Sequence, residues 1–173
     1  MNLNRNRRGI LISVALTTLL VMGSALGAER PNFSGTWKLD KDKSTNLPEI
    51  FTAVEEYLLI VKQPDENSIT FSSQIKSHRQ SITNEEENYP ISGQAVEKET
   101  KRGVKIKRSL RYDEDKPRLL IDSEKRFTGE VQLPDTNEKE VWELTEGGKG
   151  LTITITPKAE GSQQQVRVFV KSQ

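Results

Sequence analysis

The residues best suited to chemistry in this sequence are basic side chains that alternate in phase with apolar ones. Arg108 shares its predicted strand face with Ile106 and Leu110. Because a charge inside an apolar interior is costly unless it is paired, an inward Arg108 needs an acidic partner or an anionic ligand. The planar donors of arginine suit a carboxylate or a phosphate. Alternatively, a bulge or the rim returns the head group to water. Lys125 is placed in the same way, in phase with Ile121.

Few residues offer enzyme or metal chemistry. His78 is the only histidine and lies at a predicted turn, so we expect it to be exposed. The acidic runs at residues 85–87 and 113–115 lack the spacing of a dedicated calcium loop, and acidic runs at turns are ordinarily solvated. We therefore predict no catalytic residue, no metal and no cofactor. An enzyme that uses two carboxylates as acid and base stays open as an alternative.

Alternation with a period of two residues indicates the elements that carry these side chains. Ile69, Phe71 and Ile75 alternate with polar residues, and residues 104–112 and 151–156 repeat the pattern. Such alternation is typical of a sheet with one face in a core and the other in water. Clusters of turn residues separate the segments. We predict about nine strands in an antiparallel up-and-down arrangement.

One connection, residues 40–56, has the periodicity of a helix. Asn46 and Glu49 would form a capping box around a first-turn Pro48. The segment could be a short helix that covers one end of the barrel, near the barrel's mouth. Because so short a helix is marginal without packing, the alternative is an irregular loop with buried apolar anchors. The apolar residues on its predicted face are Leu47, Ile50, Phe51, Val54 and Leu58.

Residues 1–28 have the pattern of a cleaved secretory signal. Three arginines precede an apolar run at residues 10–22, which is shorter than the roughly 20 residues that span a bilayer. A retained membrane anchor is the alternative. We expect cleavage after Gly27 or Ala28, an exported periplasmic or extracellular product without a membrane span, and one domain over residues 29–173.

Charge and cysteine content exclude several classes of function. Three of the 26 lysines and arginines lie in residues 1–28, which contain no acid, so the rest of the chain has two more acidic than basic residues. This near balance argues against a nucleic-acid partner. The absence of cysteine excludes disulfides and thiolate metal sites. An exported domain that relies on packing and strand pairing alone favours a closed sheet.

Two motifs lie at opposite ends of the mature chain. Gly35-Thr36-Trp37 opens the first predicted strand, and residues 143–154 lead to Arg167-Val168-Phe169 in the last. These motifs resemble those of the calycins, which comprise lipocalins, fatty-acid-binding proteins and lipocalin-like domains of exported bacterial proteins. The resemblance covers essentially the whole mature chain and implies a lipocalin-like β-barrel. It also implies structural roles for Gly35, where the backbone bends, and Trp37, whose ring fills the closed end.

The resemblance implies two roles for Arg167. In lipocalins, a basic residue near the end of the last strand lies over the tryptophan ring, and Arg167 matches that position approximately. In fatty-acid-binding proteins, an Arg-x-Tyr pair on this strand holds a ligand carboxylate, whereas Phe169 here lacks the hydroxyl. Solvent exposure is the third alternative, because the valines at 166, 168 and 170 form the more apolar face unless Phe169 points inward.

Three functions follow from this sequence. The leading one is a monomer that binds a small hydrophobic or amphipathic molecule, including an anionic one, inside the barrel. The second is a filled barrel that acts through its surface in the cell envelope, which suits a chain only 33% hydrophobic. The third is an isomerase-type enzyme. An interior volume of several hundred Å³ would favour the first over the second. The candidate ligand-binding residues are Phe71, Ile75, Ile106, Arg108, Leu110, Tyr112, Ile121, Lys125, Phe127, Trp142, Arg167 and Phe169.

Overall fold

Antiparallel pairing joins eleven strands into one sheet in the computed structural model, which describes residues 30–100, 103–128 and 135–172. The predicted signal segment lies outside these ranges. A single-turn helix follows the first strand, and a 3₁₀ turn at Glu146–Gly148 precedes the tenth. The elements are β1 (Gly35–Thr45), α1 (Glu49–Thr52), β2 (Glu56–Asp65), β3 (Ser68–Lys76), β4 (Ser81–Thr83), β5 (Glu87–Pro90), β6 (Ala95–Glu99), β7 (Val104–Tyr112), β8 (Arg118–Phe127), β9 (Thr136–Thr145), β10 (Gly150–Pro157) and β11 (Gln165–Lys171).

The strand order confirms the predicted all-β, up-and-down architecture. The order is β4-β3-β2-β1-β11-β10-β9-β8-β7-β6, so the first and last strands of the chain are neighbours. The structure has two strands more than the predicted nine. β4 and β5 contain only three and four residues, and both pair with the same edge of β3. Strands this short carry too few residues for alternation to reveal them.

Side chains bridge the two ends of the sheet, because within the described ranges no ladder joins β4 or β5 to β6. We call this boundary, with β4 and β5 on one side and β6 and β7 on the other, the seam. Arg108 of β7 reaches Glu87 of β5 across it. Lys98 of β6 donates to the Asn88 carbonyl and lies 4.3 Å from the centroid of the Tyr89 ring. The barrel is thus closed by side-chain contacts at one place.

Trp37 belongs to the buried core of the barrel. Its side chain is fully buried and its indole Nε1 donates to the Phe33 carbonyl at 2.9 Å. The cation above its ring is Lys171, with Nζ 5.2 Å from the centroid, so the predicted stacking of Arg167 on Trp37 is wrong. β1 and β11 run antiparallel with Trp37 opposite Lys171, which places Arg167 four residues away along the strand.

Gly35 adopts a backbone conformation that other residues rarely take. Its φ angle is +151°, and a Cβ built on it would lie 2.8 Å from the Lys171 Cε. The lysine side chain is flexible and can move aside, so the constraint on this position comes mainly from the φ angle. Movement of Lys171 would also remove the cation that lies over Trp37.

The helix between β1 and β2 is present, but it is shorter than its predicted apolar face. It has no side-chain cap, because Pro48 occupies the N-cap position. Asn46 instead donates from its side chain to the Gln164 carbonyl at 2.8 Å, so the predicted capping box is wrong. One turn cannot align five residues on one face, and Ile50 is 61% exposed. No helix in the described ranges is long and apolar enough to cross a membrane.

Candidate functional site

A cavity of about 520 Å³ lies inside the barrel. Its wall is formed by inward side chains from strands on opposite sides of the sheet, including Leu59, Phe71, Trp142 and Phe169. Phe71 and Trp142 contact each other with ring centroids 5.8 Å apart. Small-molecule sites usually occupy about 300–1,000 Å³ and are lined by aromatic and aliphatic side chains with a few polar groups. The cavity therefore has the size of a ligand site, and its wall combines aromatic and aliphatic side chains with several charged ones.

The mouth of the cavity lies at the seam. The exposed residues among its lining come from the β4–β5 segment and the end of β6, and the described lining residues include none from 40–54. Residues 40–56 therefore contribute no described side chain to the cavity wall, and their predicted position near the mouth stays a prediction. α1 instead covers the barrel through Phe51, whose ring lies 5.0 Å from that of Tyr57. The exposed residues at the mouth are Thr83, Asn84, Glu85, Glu86 and Glu99.

Arg108 points inward and is paired. It is only 6% exposed, because β7 and β8 stay in continuous register through the Arg108–Ser123 pair and no bulge turns the residue outward. Its Nη1 lies 2.8 Å from Glu87 Oε2, and its guanidinium lies 4.9 Å from the centroid of the Phe71 ring. Of the two explanations for an inward Arg108, the structure shows the acidic partner.

Tyr89 completes the group around Glu87. Its hydroxyl donates to Glu87 Oε2 at 2.7 Å, and the Arg108 guanidinium lies 5.1 Å from its ring centroid. Burial is the main cause that raises the pKa of the Tyr89 phenol, since the ionised form would lose its hydration; Arg108 lowers that pKa, and Glu87 raises it further. The group ties β5 to β7 across the seam.

Lys125 also faces the cavity with its charge compensated. Its Nζ lies 2.9 Å from Glu138 Oε1 on β9. The lysine side chain is 30% exposed and the glutamate 15%, so the pair lies at the partly hydrated edge of the interior. Lys125 therefore has a protein partner and needs no ligand charge.

Arg167 faces the cavity and, within the described ranges, has no carboxylate within 4.0 Å. It lies opposite Ile153 of β10, on the face of Phe169, which is 1% exposed. Phe169 thus points inward and the valines of β11 lie on the other face, so the outward alternative for Arg167 is wrong. One guanidinium nitrogen, Nη2, donates to Gln165 Oε1 at 3.1 Å, while Nε is buried with no hydrogen-bond partner. The guanidinium lies 4.2 Å from the centroid of the Phe51 ring.

Glu140 is a cavity residue that the sequence reasoning missed. It lies on β9 between Ile121 of β8 and Ile155 of β10, both of which are buried. Its Oε2 accepts a hydrogen bond from Trp142 Nε1 at 2.9 Å, and among the described residues no basic side chain lies within 4.0 Å of it. The alternation of Glu138, Glu140 and Trp142 was the available signal, because an inward Trp142 carries both glutamates to the same face.

Five predicted site residues lie outside the cavity wall. Leu110 and Ile121 are each 1% exposed and belong to the packed part of the core. Tyr112 accepts a hydrogen bond from Gln63 Nε2 at 2.8 Å. Ile75 on β3 and Phe127 on β8 also do not reach the cavity. Alternation fixes which face a side chain takes but not its depth along the barrel, and the cavity occupies only part of that length. The predicted residues that line it are Phe71, Ile106, Arg108, Lys125, Trp142, Arg167 and Phe169.

The remaining candidates for chemistry lie at the surface. The His78 side chain is 87% exposed and pairs with Glu55. Asp113 accepts a hydrogen bond from the Asp115 amide and pairs with Arg118 at 2.6 Å; these two contacts, in that order, lower the pKa of its carboxyl. No group of three or more metal-binding side chains occurs within residues 30–100, 103–128 and 135–172.

Comparisons with known proteins show the fold. No family model and no curated protein matches the chain. A solved structure of a mutant of the fluorescent protein UnaG is 17% identical with a TM-score of 0.54 and covers 82% of this chain and 96% of its own. Secretory abundant heat soluble protein 4 from Ramazzottius varieornatus is 15% identical with a TM-score of 0.55, covering 84% and 98%.

A third similar structure is the zebrafish ileal bile acid-binding protein complexed with cholic acid. It is 17% identical with a TM-score of 0.50 and covers 81% of this chain and 98% of its own. The alignments extend over nearly the full length of each of the three proteins. The chain therefore shares the fold of these three proteins.

Proposed function

We propose that this chain is an exported monomer that binds a small hydrophobic or amphipathic molecule with an anionic group inside its barrel. The observation that carries the proposal is the cavity of about 520 Å³ with an aromatic wall. A barrel filled with side chains would contain only fragments of space, so this volume favours ligand binding over action through the surface. The fold supports the proposal further, since one protein of similar structure is complexed with cholic acid.

The apolar part of the ligand would lie against the aromatic wall. Phe71, Trp142 and Phe169 present ring surfaces to the cavity together with Leu59 and Ile153. Moving an apolar chain from water onto this wall is favourable by about 25 cal/mol for each Å² of apolar surface buried. The wall carries no information about chain length or branching, so it supports the class of ligand and not a single compound.

The anionic group would pair with Arg167. Arg108 and Lys125 already have carboxylate partners at 2.8 and 2.9 Å. Arg167 has none among the described residues, and its Nε is buried without a hydrogen bond. An unpaired guanidinium in a partly buried position is costly, and a carboxylate or phosphate would satisfy it.

Binding can be tested with the full mature protein. Native mass spectrometry of protein purified from its own host should detect a co-purifying small molecule. Titration with a panel of fatty acids and other amphiphiles should raise the melting temperature and change the Trp142 emission, because Trp142 lines the cavity while Trp37 does not. If no member of the panel binds and no molecule co-purifies, the proposal fails.

A matched pair of variants on β10 locates the site. Ile153 faces the cavity and Thr154 faces the other side of the sheet. Ile153→Phe fills part of the cavity and should weaken binding about tenfold or more, whereas Thr154→Phe should leave binding unchanged. Equal binding by both variants would place the ligand elsewhere and overturn the assignment to this cavity.

Export is supported by the pattern of residues 1–28, with arginines before a short apolar run and small residues after it. Expression of the full chain in its host followed by intact-mass measurement should give a product that lacks residues 1–27 or 1–28. A product that retains the segment and remains with the membrane fraction would contradict the export proposal.

Size-exclusion chromatography with light scattering tests the monomeric state.

A further inference from the structure

We propose that the ligand has a zwitterionic head group, with its anion opposite Arg167 and a cationic amine opposite Glu140. The inference rests on the proposed function, because it concerns the ligand of the same cavity. It is drawn from Arg167 and Glu140, two partly buried cavity charges that, among the described residues, have no ionic partner. A head group with both charges, such as that of an α-amino acid or a betaine attached to an apolar chain, fits this pair. A third such charge, Lys98, lies at the seam, where it donates to the Asn88 carbonyl and lies over the Tyr89 ring.

Most inward charges around the cavity are matched within the protein. Arg108 is neutralised by Glu87, and Lys125 is neutralised by Glu138. Each of these pairs joins strands that already neighbour each other or face each other across the seam. Because the charges at those positions are already compensated, the wall there attracts neither an anionic nor a cationic group of a ligand.

Arg167 and Glu140 differ from those pairs. Neither has an oppositely charged side chain within 4.0 Å in the parts of the chain that the structure describes, and the two do not pair with each other. Arg167 donates one hydrogen bond, to Gln165, and Glu140 accepts one, from Trp142. Arg167 Nε therefore has a free donor, and Glu140 retains capacity to accept a bond from a ligand amine.

Strand register places the two charges near each other on the inner face of the barrel. Arg167 of β11 lies opposite Ile153 of β10, and Ile153 lies opposite Trp142 of β9. Trp142 in turn donates to Glu140, which lies two residues away on the same strand. All four side chains line the same cavity. A compact head group that lies against Ile153 and Trp142 would therefore have one charge on each side of it.

A ligand with only one charge would satisfy half of this arrangement. A fatty acid carboxylate would pair with Arg167 but would bring a second negative charge close to Glu140. An alkylamine would pair with Glu140 but would lie close to Arg167. Like charges held near each other in a poorly hydrated interior repel, so each simple ligand is penalised where the zwitterion is stabilised.

The test compares three ligands that share one apolar chain. Dissociation constants of 2-aminododecanoic acid, dodecanoic acid and dodecylamine are measured by calorimetry on the mature wild-type protein. We expect the amino acid to bind about tenfold more tightly than either of the others. This ranking requires no variant, so it does not depend on whether a substitution disturbs folding.

Variants then assign the two contacts. Glu140→Gln keeps an acceptor for Trp142 and should bring dodecanoic acid to parity with the amino acid. Arg167→Gln should weaken both acids and spare dodecylamine. Glu143→Gln is the matched control, since Glu143 lies on the same strand with its side chain 45% exposed and does not line the cavity. The control should leave the ranking unchanged.

The outcomes separate this inference from the proposed function. If dodecanoic acid binds wild-type protein as tightly as the amino acid, or if Glu140→Gln leaves their ratio unchanged, the zwitterionic head group is wrong and the binding function stands. If none of the three ligands binds and the wider amphiphile panel also fails, the proposed function itself is wrong. Circular dichroism and thermal unfolding of each variant establish that it is folded.

Discussion

At the scale of single residues, two inward arginines in this barrel have different environments. Arg108 is 6% exposed and held by Glu87, Ser123 and two aromatic rings, whereas Arg167 has one neutral hydrogen-bond partner and a ring. The first arrangement is typical of a group that stabilises the fold, because every contact comes from the protein. The second leaves capacity for a ligand. The two residues should therefore respond differently to substitution.

Removal of Arg108 should destabilise the protein. Arg108→Ala leaves Glu87 without its partner and opens space beside Phe71, so we expect a loss of about 2 kcal/mol in the free energy of unfolding. The loss stays below that of a fully buried pair, because Glu87 is 27% exposed and can be rehydrated. Urea denaturation measures the change. Arg111→Ala, an exposed position on the same strand, is the control, and equal stability of the two variants would contradict this role for Arg108.

At the scale of elements, alternation predicts faces well where strands are long and evenly paired. It places Arg108 on the inner face of β7, and the continuous β7–β8 register bears that out. On β11 the pattern misleads, because three valines occupy the outer face while Arg167 and Phe169 point inward. Apolar content alone does not identify the inner face of a strand when the interior is partly polar.

The helix α1 should matter through one side chain. Phe51 packs against Tyr57 and lies under the Arg167 guanidinium, whereas its neighbour Ile50 is 61% exposed. We expect Phe51→Ala to lower the free energy of unfolding by about 1–2 kcal/mol, since it loses an edge-on ring contact, a cation–π contact and buried area. Ile50→Ala should change it by less than about 0.5 kcal/mol. Chemical denaturation measures the free energy of unfolding of both variants. A larger loss for Ile50→Ala than for Phe51→Ala would show that the helix packs by its other face.

At the scale of the whole molecule, the fold was predictable, whereas the extent of the cavity and the pairing of its charges were predictable only in part. The spacing of turns predicts an antiparallel up-and-down sheet, and the motif at Gly35 and Trp37 marks its first strand, because each feature is local in sequence. The pairing of Arg108 with Glu87 depends on β5, a four-residue strand that no periodic pattern reveals. Likewise, Leu110 and Ile121 share a face with cavity residues but lie in the packed part of the barrel. How deep a side chain lies along the barrel, and which side chain it pairs with, are determined only when the sheet closes.

Alkaline pH should destabilise the whole molecule. The pKa values of Tyr57, Tyr89 and Tyr112 are all raised above the ordinary value of 10.0, in each case chiefly by burial. The folded protein then retains phenolic protons that the unfolded chain releases, so the stabilisation is complete below pH 10 and decreases as pH rises above it. Spectrophotometric titration should show little tyrosinate until unfolding begins. Ionisation of all three tyrosines near pH 10 in a folded protein would contradict this expectation.

The seam affects how quickly molecules exchange between the barrel interior and solvent. Across most of the barrel, two neighbouring strands cannot part without breaking a row of backbone hydrogen bonds. Across the seam, the contacts between described residues are a few side-chain interactions made by Lys98 and Arg108. A brief separation there would open the interior while every ladder stays intact. The residence time of a ligand inside the barrel would then depend on side-chain contacts at the seam and on ionic strength, independently of global unfolding.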